Sequence, residues 1–268
     1  QVSRMSDWQG ILETQLQREP PELSIEEAVE IYSNAQLNEL MYVAMQRRRS
    51  QVPGNLVTYL IDRNINYTNV CTINCHFCSF YRSPGHNESY TQTVDQISQR
   101  IDELESLGGT RILMQGGVNP SLPIEWYVEL LEELSQRHPN ISLDCFSPIE
   151  IEGISEVSGL STLEVLSKFR DSGMHGLPGG GAEMLVDNVR SGISPRTGSS
   201  ENWLRVMSEA QSLGLTTSAT NVFGFGENYY DRVEHMSKIR SFSENTVFCD
   251  IKLNRMFFNI FPGARTLI

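Results

Sequence analysis

Two hydrophobic periods divide the chain. Residues 7–50 read as helices: in Leu23-Ser24-Ile25-Glu26-Glu27-Ala28, Ser24 is expected to cap a helix with Glu27 in the capping-box position. A second helical stretch runs through Leu37-Asn38-Glu39-Leu40-Met41-Tyr42-Val43-Ala44-Met45 and ends in Arg47-Arg48-Arg49, a solvated helix end that the dipole favours. From Pro53 onward strand-like runs alternate with helical ones. Residues 56–61 are expected as the first strand. A helix over about 93–107 follows, with Val94, Ile97, Ile101 and Leu104 on one face and a stop at Gly108-Gly109. Further strands are expected over 111–115, 141–146, 176–177 and 216–223, with a last one inside 248–261. Helices are expected over 123–137, from about Ile149, over 161–170, over 200–213 with Ser199 or Ser200 as cap, and over 229–242.

About six strand–helix units with short connections imply parallel strands and right-handed crossovers. The expected fold class is α/β, a partial (βα)6, TIM-like barrel. Residues 1–52 would form an N-terminal helical extension and residues 53–268 the barrel core. Active sites of such barrels lie at the C-terminal rim of the strands.

Composition narrows the function classes. A chain of 268 residues that is 39% hydrophobic can bury a large core. The net charge of −12, from 33 acidic and 21 basic side chains, argues against nucleic acid or an acidic membrane as partner. The first residues, Gln1-Val2-Ser3-Arg4-Met5-Ser6-Asp7, hold no apolar signal core, and clustered thiols fit a reducing compartment, so a cytoplasmic protein is expected. A first residue other than Met is expected of a fragment. Gly-x-Ser-x-Gly, phosphate-binding Gly-Lys-Ser/Thr and His-Glu-x-x-His are all absent, which leaves hydrolase and nucleotidase readings without an anchor.

The chemistry concentrates after the first strand. Cys71, Cys75 and Cys78 stand at i, i+4 and i+7 in a short polar loop, so one loop can wrap three thiolates around one inorganic centre. Four thiolates would saturate a cubane iron–sulfur cluster; three leave one iron open to bind and reduce something. The alternative is a structural zinc site with His76 or His86 as fourth ligand. Cys145 and Cys249 are isolated in apolar runs and are expected to be core thiols. The CxxxCxxC spacing, with Phe77 before the last cysteine, resembles the signature of the radical S-adenosylmethionine superfamily. That resemblance implies a [4Fe-4S] cluster on Cys71, Cys75 and Cys78 whose open iron chelates S-adenosylmethionine.

The strand ends carry the remaining candidates. Gln115-Gly116-Gly117 closes the second strand, either as a turn needing positive φ or as a close backbone approach to the methionine group. Ser147-Pro148 with Glu150 closes the third, at a rim position within reach of the adenosine part. Pro178-Gly179-Gly180-Gly181-Ala182-Glu183 closes the fourth: three successive glycines are costly to order and suggest close approach to a ligand, with Glu183 orienting a ribose hydroxyl or the cofactor. Gly224-Phe225-Gly226-Glu227 closes the fifth with weaker meaning.

Beyond the superfamily, residues 54–71 resemble the cyclic dehypoxanthine futalosine synthase family of menaquinone biosynthesis. So do Phe80-Tyr81-Arg82, Pro84-Gly85-His86, Leu113-Met114-Gln115-Gly116-Gly117, Phe146-Ser147-Pro148, the triple glycine with Ala182-Glu183, and Ile193-Ser194-Pro195. The aminofutalosine synthase family is similar, but lacks Met-Gln before its glycine pair and carries Cys-Pro where Ser194-Pro195 stands. Deazaflavin-forming synthases usually lack the triple glycine. The resemblance implies cofactor contacts from Phe80, Gln115, Gly116, Gly117, Ser147 and Glu183. It also implies a radical cyclisation of dehypoxanthine futalosine and an electron donor such as flavodoxin or ferredoxin. Ser208 and Ala210-Gln211-Ser212 depart from an Arg and an Ala-His-Arg of the family. Residues 249–268 match it poorly, and the family continues further, so a C-terminally truncated barrel is expected. The catalytic base is not legible.

Overall fold

The computed structural model describes residues 7–52, 54, 55, 57, 59–245 and 257–262. Two compact units form, residues 1–59 with 227–237 and residues 60–226 with 238–268. The first contains α1 (Trp8–Thr14), α2 (Ile25–Asn34) and α3 (Leu37–Gln51). Leu12, Ile31 and Val43 are buried against one another, with Trp8, Ile11, Leu23 and Leu40 packed around them. The expected cap is present: Ser24 Oγ accepts from the Glu27 N–H at 3.1 Å while the Glu27 carboxylate accepts from the Ser24 N–H at 2.9 Å.

The second unit is built on six strands. They are β1 (Asp62–Ile65), β2 (Arg111–Met114), β3 (Ser142–Cys145), β4 (Gly176–Leu177), β5 (Thr216–Phe223) and β6 (Phe257–Pro262). They lie in sequence order in one sheet, each parallel to the next. The helices between them are α4 (Val94–Ser106), α5 (Ile124–Arg137), α6 (Pro148–Ser158), α7 (Thr162–Asp171), α8 (Asp187–Ile193), α9 (Ser200–Ser212) and α10 (Tyr229–Asn245). This is a partial TIM-like barrel. Alternate residues of β2 and β3 are buried, and Ile112, Met114, Leu143 and Cys145 meet Ile101, Leu130, Phe169 and Val206 of the helices in one core. At fully buried side chains of this size, each contributes about 1.5–3 kcal/mol of transfer free energy.

Two expectations need correction. The first strand lies at Asp62–Ile65, downstream of the apolar run at 56–61. Register with β2 decides this: Asp62 pairs with Arg111, whose guanidinium reaches both the Asp62 and the Asp144 carboxylates. Of the apolar run, Val57 and Tyr59 are 74% and 87% exposed, and positions 56 and 58 lie outside the described residues. Second, α8 was not expected, because Asn188-Val189-Arg190-Ser191-Gly192 shows no helical stripe. At α9 the cap is the first of the two expected candidates, Ser199, whose Oγ accepts from the Asn202 N–H at 3.2 Å. Cys249, and residues 248–256 of the last expected strand, lie outside the described residues.

Candidate active site

The cysteine loop leaves β1 already fastened. Asn69 bridges two backbone groups of the following segment, accepting from the Tyr90 N–H at 2.8 Å and donating to the Glu88 carbonyl at 3.0 Å. The Cys71 N–H donates to Arg82 O at 2.9 Å and the Thr72 N–H to Val118 O at 3.1 Å. Within the loop Asn74 takes φ 59°, a left-handed turn that asparagine tolerates, and the Cys78 N–H closes a turn on Cys75 O at 3.1 Å. Phe77 packs on Phe225 with ring centroids 5.3 Å apart.

Cys71, Cys75, Cys78, Phe80, Gln115, Gly116, Gly117, Ser147 and Glu183 all line one cavity of about 260 Å³. Every expected site residue is therefore brought together at the C-terminal ends of the strands. Neither His76 nor His86 lines this cavity, and the His86 Nδ1 accepts from the Glu88 N–H at 3.1 Å, so neither histidine supports the zinc alternative.

The glycines serve the protein's own packing. Gly116 and Gly117 do not take positive φ, which corrects the turn reading. A Cβ on Gly117 would stand 2.2 Å from Val70 O and 2.7 Å from Cys71 Cβ, and one on Gly116 would stand 2.7 Å from the Tyr67 ring. The end of β2 thus lies directly against the cysteine loop. In the triple glycine, Gly179 approaches the Ser218 carbonyl, Gly180 approaches Gln115, and Gly181 takes φ 82°. The Gly180 carbonyl accepts from Trp203 Nε1 at 3.1 Å and the Gly179 carbonyl from Thr220 Oγ1 at 2.8 Å. These glycines thus pack closely against neighbouring elements of the chain, while Gly180 and Gly181 also line the cavity.

The third strand end turns at Phe146, a fully buried residue at φ 66° within a ring cluster with Tyr67, Tyr127 and Phe169. That strained turn directs Ser147 and the first turn of α6 toward the cavity. Ser147 is committed as a helix cap: its hydroxyl donates to Glu150 Oε2 at 2.6 Å and accepts from the Glu150 N–H at 3.4 Å. Glu150 also accepts from the Tyr67 hydroxyl at 2.8 Å and the Gly116 N–H at 2.9 Å. Burial pushes its carboxyl up to about 7, with those three donors opposing the shift. Glu183, at φ 38°, accepts from the Gly181 N–H at 3.0 Å, and burial raises it to about 7 as well, with Arg190 opposing.

Burial likewise pushes the Cys75 thiol up to about 12; the Ser194 hydroxyl opposes this, while Glu183 and the other two cysteines add to it. A thiol so placed ionises against a positive centre, which is what a metal supplies. Three thiols on one cavity wall, with a glycine strip where side chains would collide, fit an iron–sulfur cluster with an organic co-ligand.

Two residues escaped sequence reasoning. Arg190, 3% exposed, donates Nη1 to the Gly181 and Ala182 carbonyls at 2.7 Å each, and Nε and Nη2 to the Gly198 and Thr197 carbonyls at 3.3 and 3.4 Å. A lone arginine in a polar segment carries no signal of burial. Tyr67, fully buried beside Glu150, reads in the sequence as one more strand-end aromatic.

Residues 65–239 match the Radical SAM superfamily. The cyclic dehypoxanthine futalosine synthase of Halalkalibacterium halodurans is 40% identical over 237 residues, 88% of this chain and 64% of that protein. The 5-amino-6-(D-ribitylamino)uracil–L-tyrosine 4-hydroxyphenyl transferase of Methanococcoides burtonii is 36% identical over 208 residues, 78% of this chain and 57% of that protein. The chain thus spans less than two thirds of the length of either relative. Among solved structures, the [FeFe]-hydrogenase maturase HydG matches with a TM-score of 0.73 at 16% identity, covering 98% of this chain and 55% of that one, a likeness of fold. Among the described residues no helix is long and apolar enough to cross a membrane.

Proposed function

From its place in the Radical SAM superfamily, to which this chain belongs, we propose that it cyclises dehypoxanthine futalosine to cyclic dehypoxanthine futalosine. The superfamily works with a [4Fe-4S] cluster and S-adenosylmethionine, and the observation that carries the reading is the single cavity shared by the three thiols, both glycine strand ends and Glu183.

Cys71, Cys75 and Cys78 would hold the cluster, with the Gly116-Gly117 backbone and Glu183 against the methionine and ribose groups of the co-ligand. When bound, that pair would supply a 5′-deoxyadenosyl radical as hydrogen-atom acceptor, the chemistry needed to join the substrate's ribose C4′ to its benzoate ring; the ring hydrogen would leave as a proton to a base and an electron to a one-electron acceptor. The chain's share is geometric: Ile73, Phe77, Val118 and Ile149 wall the cavity with apolar surface that excludes water and stray hydrogen donors. The committed bonds of Glu150, Gln115 and Ser147 keep the walls in one arrangement, so that carbon and ring meet in a reactive pose. Glu183, a cavity-lining carboxyl raised to about 7 by burial, would be the candidate to take the proton, since the Glu150 oxygens are held by Tyr67, Gly116 and Ser147. A one-electron donor of the flavodoxin or ferredoxin class would serve as reductant.

The test is anaerobic reconstitution with iron and sulfide, followed by dithionite, S-adenosylmethionine and dehypoxanthine futalosine. Substrate-stimulated 5′-deoxyadenosine and a product of the mass of the cyclised substrate are expected. The relative from Methanococcoides burtonii motivates a second arm with L-tyrosine and 5-amino-6-(D-ribitylamino)uracil. Turnover in that arm alone would overturn the cyclase reading, and the triple glycine predicts that it will not occur. A third arm for aminofutalosine formation separates the sister family.

A further inference from the structure

Ser194 caps the C-terminal end of α8 and is 3% exposed. Its Oγ lies 2.8 Å from Cys75 Sγ. Its backbone is fixed on both sides: the N–H donates to Arg190 O at 2.8 Å, and the carbonyl accepts from the Thr197 N–H at 3.1 Å and from Thr197 Oγ1 at 2.8 Å. The flanking residues fasten the same loop. The Ile193 carbonyl accepts from the His76 N–H at 3.0 Å, and Arg196 Nη1 donates to Thr72 O at 2.8 Å. The hydroxyl is therefore held on the sulfur by a three-point clamp.

A sulfur bound to a cluster is a thiolate and has no proton to give, so the hydroxyl must be the donor. One-electron reduction adds negative charge that the cluster shares with its thiolates, and a donor aimed at one of them stabilises the more negative state. The three sulfurs are not equivalent in this respect: Cys71 Sγ meets the Ile73 N–H at 3.4 Å, whereas Cys75 Sγ meets a buried hydroxyl. Resting on the assignment of Cys75 as a cluster ligand, we propose that Ser194 donates a hydrogen bond to the Cys75 thiolate and thereby raises the reduction potential of the cluster, making Ser194 a positioning and tuning residue for the electron that starts each turnover.

The experiment is an EPR-monitored redox titration of the reconstituted chain without S-adenosylmethionine, with iron and sulfide content measured on the same samples. Ser194→Ala is expected to keep the cluster and to hold about tenfold less of it reduced, relative to oxidised, at a fixed solution potential, a shift of about 59 mV to the negative for a one-electron couple. Ser194→Thr keeps the hydroxyl and is expected to return to the wild-type value. Arg196→Ala removes one point of the clamp but keeps the Ile193, Arg190 and Thr197 bonds that hold Ser194, and is expected to leave the potential in place. Equal potentials for wild type and Ser194→Ala at equal iron content overturn the proposal, as does a shift in Arg196→Ala as large as that in Ser194→Ala. If Ser194→Ala does not hold a cluster, Ser194→Cys offers a weaker donor: a potential below wild type supports the proposal and an unchanged one overturns it. Absence of a cluster in the wild-type chain would sink the parent reading itself, a result distinct from an unchanged potential.

Discussion

Gly117→Ala puts one methyl group between β2 and the cysteine loop. The new Cβ would lie 2.2 Å from Val70 O, and ordinary van der Waals contact begins at 3.4 Å, so the two segments must part by about 1.2 Å. Its nearest neighbours there are backbone atoms of Val70 and the Cβ of Cys71, and no flexible side-chain tip is among them to swing aside. The Gly117 N–H bond to Thr68 O, 3.0 Å, and the Thr72 bonds to Val118 pull the same way and would be stretched. Overpacking of this kind costs about 1–3 kcal/mol, which a core of this size survives. Metal sites, however, tolerate misplacement of about 0.5 Å at most in their supporting shell. The expected result is a folded chain, with thermal unfolding lowered by a few degrees, that takes up little iron and sulfide and lacks the charge-transfer absorption of a cluster. Gly192→Ala is the matched control: nothing stands within 4 Å of its Cβ position in α8, and the change should be neutral or stabilising by up to about 1 kcal/mol. Wild-type iron content and spectrum in Gly117→Ala would refute the claim that the glycine exists to let β2 approach the cluster loop.

Two further expectations follow from buried groups. Arg190→Ala leaves the Gly181, Ala182 and Thr197 carbonyls without their charged donor and should cost about 3–5 kcal/mol, a fall of roughly 10 °C in Tm; a loss under about 2 °C in calorimetry would mean water replaces it freely. Glu150 is raised from 4.5 to about 7, so the fold holds a proton there that the unfolded chain has already released. Its contribution is fully present below pH 4.5 and is lost as pH rises through 7, about 3 kcal/mol in all. Urea unfolding of the apo chain at pH 5 and pH 8 should show a steeper loss of stability in the wild type than in Glu150→Gln, which keeps only the Glu183 contribution; parallel pH profiles would contradict the burial argument.

What the sequence made legible was what depends on local pattern. Helix faces, the capping box at Ser24 and the strand at 216–223 are written in periodicity and in side chains that bond their own backbone. The cysteines and glycine strand ends were legible because ligand spacing and steric emptiness are properties of residue type. The failures share a cause, dependence on a distant partner. β1 is a polar tetrad whose register is decided by Arg111, 49 positions away, and no periodicity favours it over the apolar run before it. Arg190 is buried because four carbonyls converge on it, and the cap that the Ser147 hydroxyl makes on α6 depends on Glu150 turning back toward it. The glycine strand ends were legible as places of close approach, but that they also pack against the protein's own backbone depends on partners far away in the chain.

The clamp on the cysteine loop also has a calendar. Ser194 and Arg196 stand 119 and 124 positions downstream of the residues they hold. At a synthesis rate of 5–20 residues per second, the three thiols leave the ribosome roughly 6–25 s before their clamp exists. During that interval the loop is a run of unsupported thiols, open to oxidation and to any stray metal. Nascent chains halted before Asp187 lack this clamp and are expected to carry Cys71, Cys75 and Cys78 in a form that alkylating reagents reach faster than in the full chain.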